Sequence, residues 1–333
     1  MWSHPAGTVR RQLPYTTSQQ RSTLQPRALS VITGTDDGGR SADQLDLRIH
    51  DHDGKIALPK RGVRLAVALG WKATGLVDKG SFIVDEVEYS GAPDVITVRA
   101  RSADLTANVR TRRERSWHNT TLGAVLNTLA GEHGLTPRVA ESLAKIKLPH
   151  LDQANESDMN LLTSLGQRFD AVATVKGGAL VFAPIGAGTT ATGKPLPAVT
   201  LTRRDGDQHR YSVADRDAYT GVRAYWVDKG KARRQSVLVG TDDNAKRLRE
   251  SYADEATARQ HAHAELERVK RGLAKFDFKL AIGQAELSPE QSLKLIGFKQ
   301  EIDRQRWLIA TATHVMDSMG FTTSLTLDAN FER

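Results

Sequence analysis

The sequence predicts an α+β fold, mostly β, in which two similar β-barrel domains flank an α/β insertion module. Three observations predict it. Apolar and polar residues alternate, as on half-buried strands, from Leu29 to Val98 and again beyond Val199. Between these regions, residues 116–184 carry helical spacing. The second β region also repeats the first. In "SFIVDEVEYSG" and "RWLIATATHVMDSMG", Phe82 stands where Trp307 stands and Val84 where Ile309 stands. Tyr89 follows Phe82 by seven residues, as His314 follows Trp307. Upstream, "RLAVALGW" (64–71) and "SLKLIGF" (292–298) are alternating runs that both end in Gly plus an aromatic. Ordered self-similarity of this kind marks an internal duplication.

Residues 1–25 are rich in Ser, Thr, Gln and Arg, without a strand or helix pattern, and are expected to form a flexible, atypical N-terminal arm. The first barrel domain is expected over 26–115. "QLDLRIH" alternates at Leu45, Leu47 and Ile49, and "DHDG" supplies a turn. The insertion module spans 116–184. Leu122, Val125, Leu126 and Leu129 form one helical face, with cap candidates at Asn119, Thr120 and Thr121 and a stop at Gly134 and Pro137. A second helix starts at Ser157, a cap candidate, and turns Leu161, Leu162, Leu165 and Phe169 inward. "AVATVKGGALVFAP" then reads as a hairpin turning at Gly177 and Gly178. Residues 185–197 are a linker, and 198–333 form the second barrel domain with one long helix presenting Ala258, Ala262, Leu266 and Val269.

Composition excludes several classes. No apolar run approaches the ~20 residues of a membrane helix. The absence of cysteine removes thiolate catalysis, disulfide scaffolds and cysteine metal sites. The net charge of +8 comes from the acid-free segment 1–35 and from short bursts, "RTRRER" (110–115), "KARR" (231–234) and "RVKR" (268–271). These bursts read as solvated faces and predict no sequence-specific nucleic-acid binding.

The chemical motifs are weak. "GTTATGKP" (188–195) approaches a phosphate loop, but Pro195 stands where the Ser or Thr that meets magnesium belongs. "HDHDG" (50–54) has imidazoles and carboxylates, yet an EF-hand begun at Asp51 would place its bidentate Glu at Gly62. His261 and His263 point to different helix faces, and both are expected to face solvent. His314 is expected to be a hydrogen-bonded structural histidine. Glu156 and Asp158 suit the positive end of a helix dipole. No catalytic, cofactor-binding or metal residue is assigned, no cofactor is expected, and the chain is not expected to be an enzyme.

Together, "SADQLDLRIHDHDGKIALPKRGVRLAVALGW", "DKGSFIVDEVEYSG", "RSWHNTTLGAVLNTLAGEHGL", "PHLDQANESDMNLLTSLGQRFDAVATVKGGALVFAP" and "YTGVRAYW" resemble the phage late-control protein D family, over Pro26 to about Asp328. The run Gln153…Glu156-Ser157-Asp158 is also similar to the hub portion of type VI secretion spike proteins. The resemblance implies a structural baseplate hub of a contractile phage or prophage tail, assembled in the bacterial cytoplasm and located in the virion tail. It implies a homotrimer that joins a sixfold tail tube protein to a trimeric spike protein, with the tape-measure protein as a further partner. The alternatives are the hub of a tailocin or type VI-like device, or a hub-associated peptidoglycan hydrolase. Family members begin with a strand ahead of the segment matching Pro26–Ser30. Residues 1–25 do not resemble it, so either the start is altered or the first barrel lacks its first strand, which would leave an unpaired edge.

Overall fold

The computed structural model describes residues 5–12, 28–35, 43–102, 111–190, 192–213, 219–228 and 233–330. The first β region comprises β1 (Pro5–Gln12), β2 (Ala28–Thr35), β3 (Gln44–His50), β4 (Arg64–Trp71), β5 (Gly75–Ser90) and β6 (Val95–Ser102). Their hydrogen-bonded order is β1-β4-β5-β6-β3-β2. The alternation does what it predicts: Leu45, Leu47 and Ile49 of β3 and Leu65, Val67 and Leu69 of β4 are buried with Phe82, Val84, Ile96 and Val98 in one core. Burying each such side chain is worth about 1.5–3 kcal/mol.

One expectation is corrected here. Pro5–Gln12 is not a flexible arm but a strand that pairs antiparallel with β4 along its whole length, from Pro5 opposite Trp71 to Gln12 opposite Arg64. An edge strand is held by main-chain hydrogen bonds on one side, so it needs no two-faced alternation to be specified. An altered start, not a missing first strand, is therefore the alternative that the β1–β4 pairing supports. The remainder of the 1–25 arm lies outside the described residues.

The insertion begins with β7 (Arg112–Thr121), slightly ahead of the expected boundary at 116. It continues with α1 (Leu122–Glu132), β8 (Thr136–Val139), α2 (Glu141–Ala144), β9 (Lys147–Ser157), α3 (Asp158–Phe169), β10 (Ala171–Lys176) and β11 (Ala179–Pro184). Thr121 caps α1 by accepting from the Ala124 amide at 3.2 Å, and Ser157 caps α3 by accepting from Asn160 at the same distance. The β10–β11 hairpin turns at Gly177 and Gly178, both at positive φ, where glycine carries no Cβ penalty. The apolar faces of α1 and α3 close on Phe182 and Leu180 in a core of their own.

In the second β region the strands are β12 (Val199–Thr202) and β13 (Gly206–Val213), then β14 (Gly221–Asp228), β15 (Arg233–Gly240) and β16 (Ala245–Tyr252). The long helix α4 (Glu255–Gly272) follows, then β17 (Ala274–Leu280), β18 (Ser292–Ile296), α5 (Gln300–Asp303), β19 (Arg306–Asp317) and β20 (Gly320–Ala329). Strands β14 to β16 form a separate sheet, and Ala258, Ala262 and Leu266 of α4 pack on its Val222, Ala224 and Val237. The other six strands run β12-β18-β19-β20-β17-β13.

That order is the first one repeated, strand for strand, when β12, β13, β17, β18, β19 and β20 are set against β1 to β6. The register repeats too. Leu65 lies opposite Phe82 and Leu293 opposite Trp307. One bulge interrupts β5 against β6 between Val84 and Glu86, and its counterpart interrupts β19 against β20 between Ile309 and Thr311. Another separates Ala28 from Ser30 in β2, matched between Gly206 and Gln208 in β13. Bulges are positional features of a fold, so their coincidence supports the duplication read from the sequence. Phe82 and Trp307 occupy the same slot in the two halves. One difference stands out: β1 meets β4 antiparallel, whereas β12 meets β18 parallel.

Of the two β-barrels expected, the structure shows two curled half-barrel sheets. Each half curls round a core built mainly from its own strands, the first also taking in Ala285 and Phe321 of the second half, and no strand pairing closes either half among the described residues. The halves join instead where β2 pairs antiparallel with β19, Ser30–Thr35 against Ala312–Asp317, which makes one twelve-stranded sheet.

Candidate functional site

The densest group of ionisable side chains lies in the insertion. Strands β7 and β9 pair so that Arg113 faces Glu156 and Arg115 faces Gln153. The arginine burst and the Gln153…Asp158 run therefore meet across two strands. Asp158, in the first turn of α3, has a fully buried side chain. One of its oxygens accepts from the Arg115 guanidinium and from Gln153 Nε2 at 2.8 Å; the other lies 2.7 Å from His133 Nε2. Arg113 and Arg115 each reach Glu132 at 2.7 Å. Burial works to raise the Asp158 carboxyl. Hydrogen bonds from Gln153 and His133, with the charges of Arg115 and Arg113, outweigh it and hold the group below the usual carboxylate range.

This corrects the reading of "RTRRER" as a solvated face, because Arg113 and Arg115 neutralise a buried acid. Glu132, His133 and Asp158 have ligand atoms close enough to surround a cation. The two guanidiniums already occupy the two carboxylates, so the chemistry of the set is that of an ion-pair brace. It clamps the end of α1, where His133 and Glu132 stand, to the start of α3.

A second junction ties the insertion to the rest. Arg271 near the end of α4 grips both oxygens of Asp170, which follows α3 at φ 52. Beside them Glu290 accepts from the Gly186 amide at 2.9 Å, in a cleft also lined by Gly166, Leu308 and Asp328. Burial pushes the Glu290 carboxyl up to about 7, against the opposing pull of the Gly186 amide and Arg271. A raised carboxyl stabilises the fold fully below its unfolded value, and the contribution is lost as pH rises through about 7. Glu290→Gln keeps the acceptor and removes the charge. The variant is expected to match the parent at pH 5 and to be more stable at pH 8, by up to about 3 kcal/mol, in thermal melts at the two pH values. An equal difference at both values would refute the assignment.

The other residues singled out in the sequence lie apart from these two clusters. His314 is fully buried where the halves meet, with Nε2 at 2.9 Å from Lys79 Nζ and Nδ1 at 2.9 Å from Thr323 Oγ1. Burial, then the Lys79 charge, lowers it to about 3, so a neutral ring accepts from the ammonium. Lys79 itself is lowered to about 8, by burial first and Lys176 second. In "HDHDG", Asp51 is buried and accepts from the Ile56 amide at 3.0 Å, the bond of a turn. His263 is exposed as expected, but His261 is not: it is half-buried and stacked on Tyr252 at 4.2 Å. Desolvation lowers it to about 4. The "GTTATGKP" stretch bends back on itself, Thr190 donating to Lys194 at 2.8 Å, and leads into β12, not a helix.

The comparisons agree with this architecture. The chain is 42% identical over 348 residues to a "probable baseplate hub protein" of Escherichia phage 186, covering 92% of this chain and 89% of that one. It is 43% identical over 340 residues to the protein of the same description in Escherichia phage P2, covering 90% and 88%. Its fold is similar to a tail protein from Neisseria meningitidis, with TM-score 0.71, 14% identity and coverage of 98% and 96%. It is also similar to an E. coli component of the type VI secretion system, with TM-score 0.57, 13% identity and coverage of 92% and 74%. The family described as phage tail baseplate hub (GPD) matches residues 43–319. With two half-sheets of one topology, an insertion braced by buried charge and relatives of this kind, the chain belongs to the phage tail baseplate hub family.

Proposed function

We propose that this structural baseplate hub works as a homotrimer that meets a sixfold tail tube on one side and a trimeric spike on the other. The hub role is the family's and locates the chain in the virion tail. The observation that carries the trimer is the repeated strand order of the two halves. Three copies offer six units of one topology to a sixfold partner, while the chain as a whole repeats only three times. The tape-measure protein is a further partner on this reading. Light scattering is expected to give the mass of three copies for the purified chain, and three hub copies plus the spike trimer when the spike protein is co-expressed. A monomer or a dimer under both conditions would count against it.

We propose a structural role without enzymatic activity. Supporting this, Asp158, Glu132, Asp170 and Glu290 are all engaged by groups of the same chain. Zymography on cell-wall substrate is expected to show no clearing band. The fold shared with the type VI component favours a related reading, the hub of a phage-derived injection device.

A further inference from the structure

Among the described residues, two strand edges of the duplicated sheet lack the strand partner that their counterparts have, and the duplication says what each should hold. Within the chain, β2 pairs with β19. The counterpart of β2 is β13, and the counterpart of β19 is β5. Strand β13 pairs with β17 on one side; among the described residues no strand pairs its other side. Strand β5 runs to Ser90, but its pairing with β4 ends at Ile83, so on that side the stretch beyond Val84 has no strand partner among the described residues. In β19 the corresponding stretch is the one that β2 covers.

We propose that β13 of one copy pairs antiparallel with the C-terminal half of β5 of a second copy, so that the junction between chains reproduces the β2–β19 junction within each chain. The proposal rests on the trimer reading and names the surface through which it forms. Three copies then supply six junctions of one kind, three inside chains and three between them, and a head-to-tail contact of this sort closes into a ring.

The register follows from the repeated pairings. Val31 lies opposite Leu47 and His209 opposite Phe278, and Leu47 and Phe278 are themselves equivalent, facing Val98 and Leu325 in turn. Val31 therefore corresponds to His209, and Thr33 to Tyr211. On the other strand the shared bulge sets Ala312 against Val87 and His314 against Tyr89. Since Thr33 pairs with His314, Tyr211 should pair with Tyr89, Val213 with Val87, Ser212 with Glu88 and Arg210 with Ser90.

The side chains suit that register. Tyr89, Tyr211 and Val213 are 50%, 37% and 60% exposed, and all three would fall on one face of the new ladder with Val87. His314, the counterpart of Tyr89, is fully buried at a junction that is already made. On the opposite face, Arg210 and Glu88 become diagonal neighbours of opposite charge. Two exposed edges in one chain would otherwise be a liability.

The chain has no cysteine, so an introduced pair is the only source of a disulfide. Residues directly opposite on antiparallel strands have Cα atoms about 4.5–5.5 Å apart, within the disulfide range. The Glu88→Cys, Ser212→Cys double variant of the full chain, oxidised at high concentration, is expected to run mainly as a trimer on a non-reducing denaturing gel and to revert with reductant. The Glu88→Cys, Tyr211→Cys variant places its thiols on opposite faces and should stay uncrosslinked. Tyr89→Asp should shift light-scattering mass from trimer to monomer with an unchanged circular dichroism spectrum. A trimer by light scattering that forms no crosslink, or that survives Tyr89→Asp, overturns this interface and leaves the hub reading standing. A monomer at every concentration, alone and with the co-expressed spike protein, overturns both.

Discussion

Replacing Asp158 with alanine is expected to destabilise the chain by about 3–5 kcal/mol, because it removes the one anion at the centre of a buried cluster. Arg115 would keep Glu132 but lose its buried partner, Gln153 Nε2 would keep only the Glu156 carbonyl, and His133 would lose the acceptor at its Nε2. Asp158→Asn retains one acceptor oxygen and should cost less. Arg115→Ala should approach the alanine effect, since it strands the carboxylate instead of the cations. Urea unfolding of the three variants measures this order. A loss below about 1 kcal/mol for Asp158→Ala would place the cluster among solvated surface pairs.

The second large effect concerns the repeated slot. Trp307→Ala and Phe82→Ala are each expected to cost about 3–5 kcal/mol through lost transfer energy and the cavity left behind. Trp307 packs at 5.6 Å from Phe276 and donates from Nε1 to the Ile302 carbonyl at 3.1 Å, so its removal also takes one hydrogen bond from that carbonyl, which keeps the Gln305 amide. Phe82 sits in the other core, with no shared neighbours between the two clusters. The double variant should therefore lose the sum of the single losses to within about half a kcal/mol. Strong non-additivity in denaturant unfolding would mean that the halves share one core.

The duplication was legible because a buried strand writes a period of two, and Phe82 and Trp307 fall at matching points of it. The helix starts at Thr121 and Ser157 were legible as local capping chemistry. What escaped was long-range or weakly encoded. Residues 5–12 carry no strand pattern of their own because an edge strand is specified by its partner's open hydrogen bonds more than by its own alternation. Asp158 was explained by the helix dipole alone. Its partners Arg115 and His133 arrive from β7 and the end of α1, and only the burst in "RTRRER" hinted at a buried anion nearby. Strand spacing alone suits a barrel or a sandwich, and the β2–β19 seam depends on two segments at opposite ends of the chain.

The opposite polarity of β1 and β12 has a consequence for ancestry and for symmetry. Five strands of each half agree in order and direction with their counterparts, while the sixth runs up one half and down the other. The copied ancestor is thus best described as a five-stranded unit, to which each descendant added an outer strand by its own route. In a ring of three chains those outer strands alternate in direction around the rim. A partner gripping the five shared strands would find six matching footholds, and one gripping the rim would find two alternating sets of three.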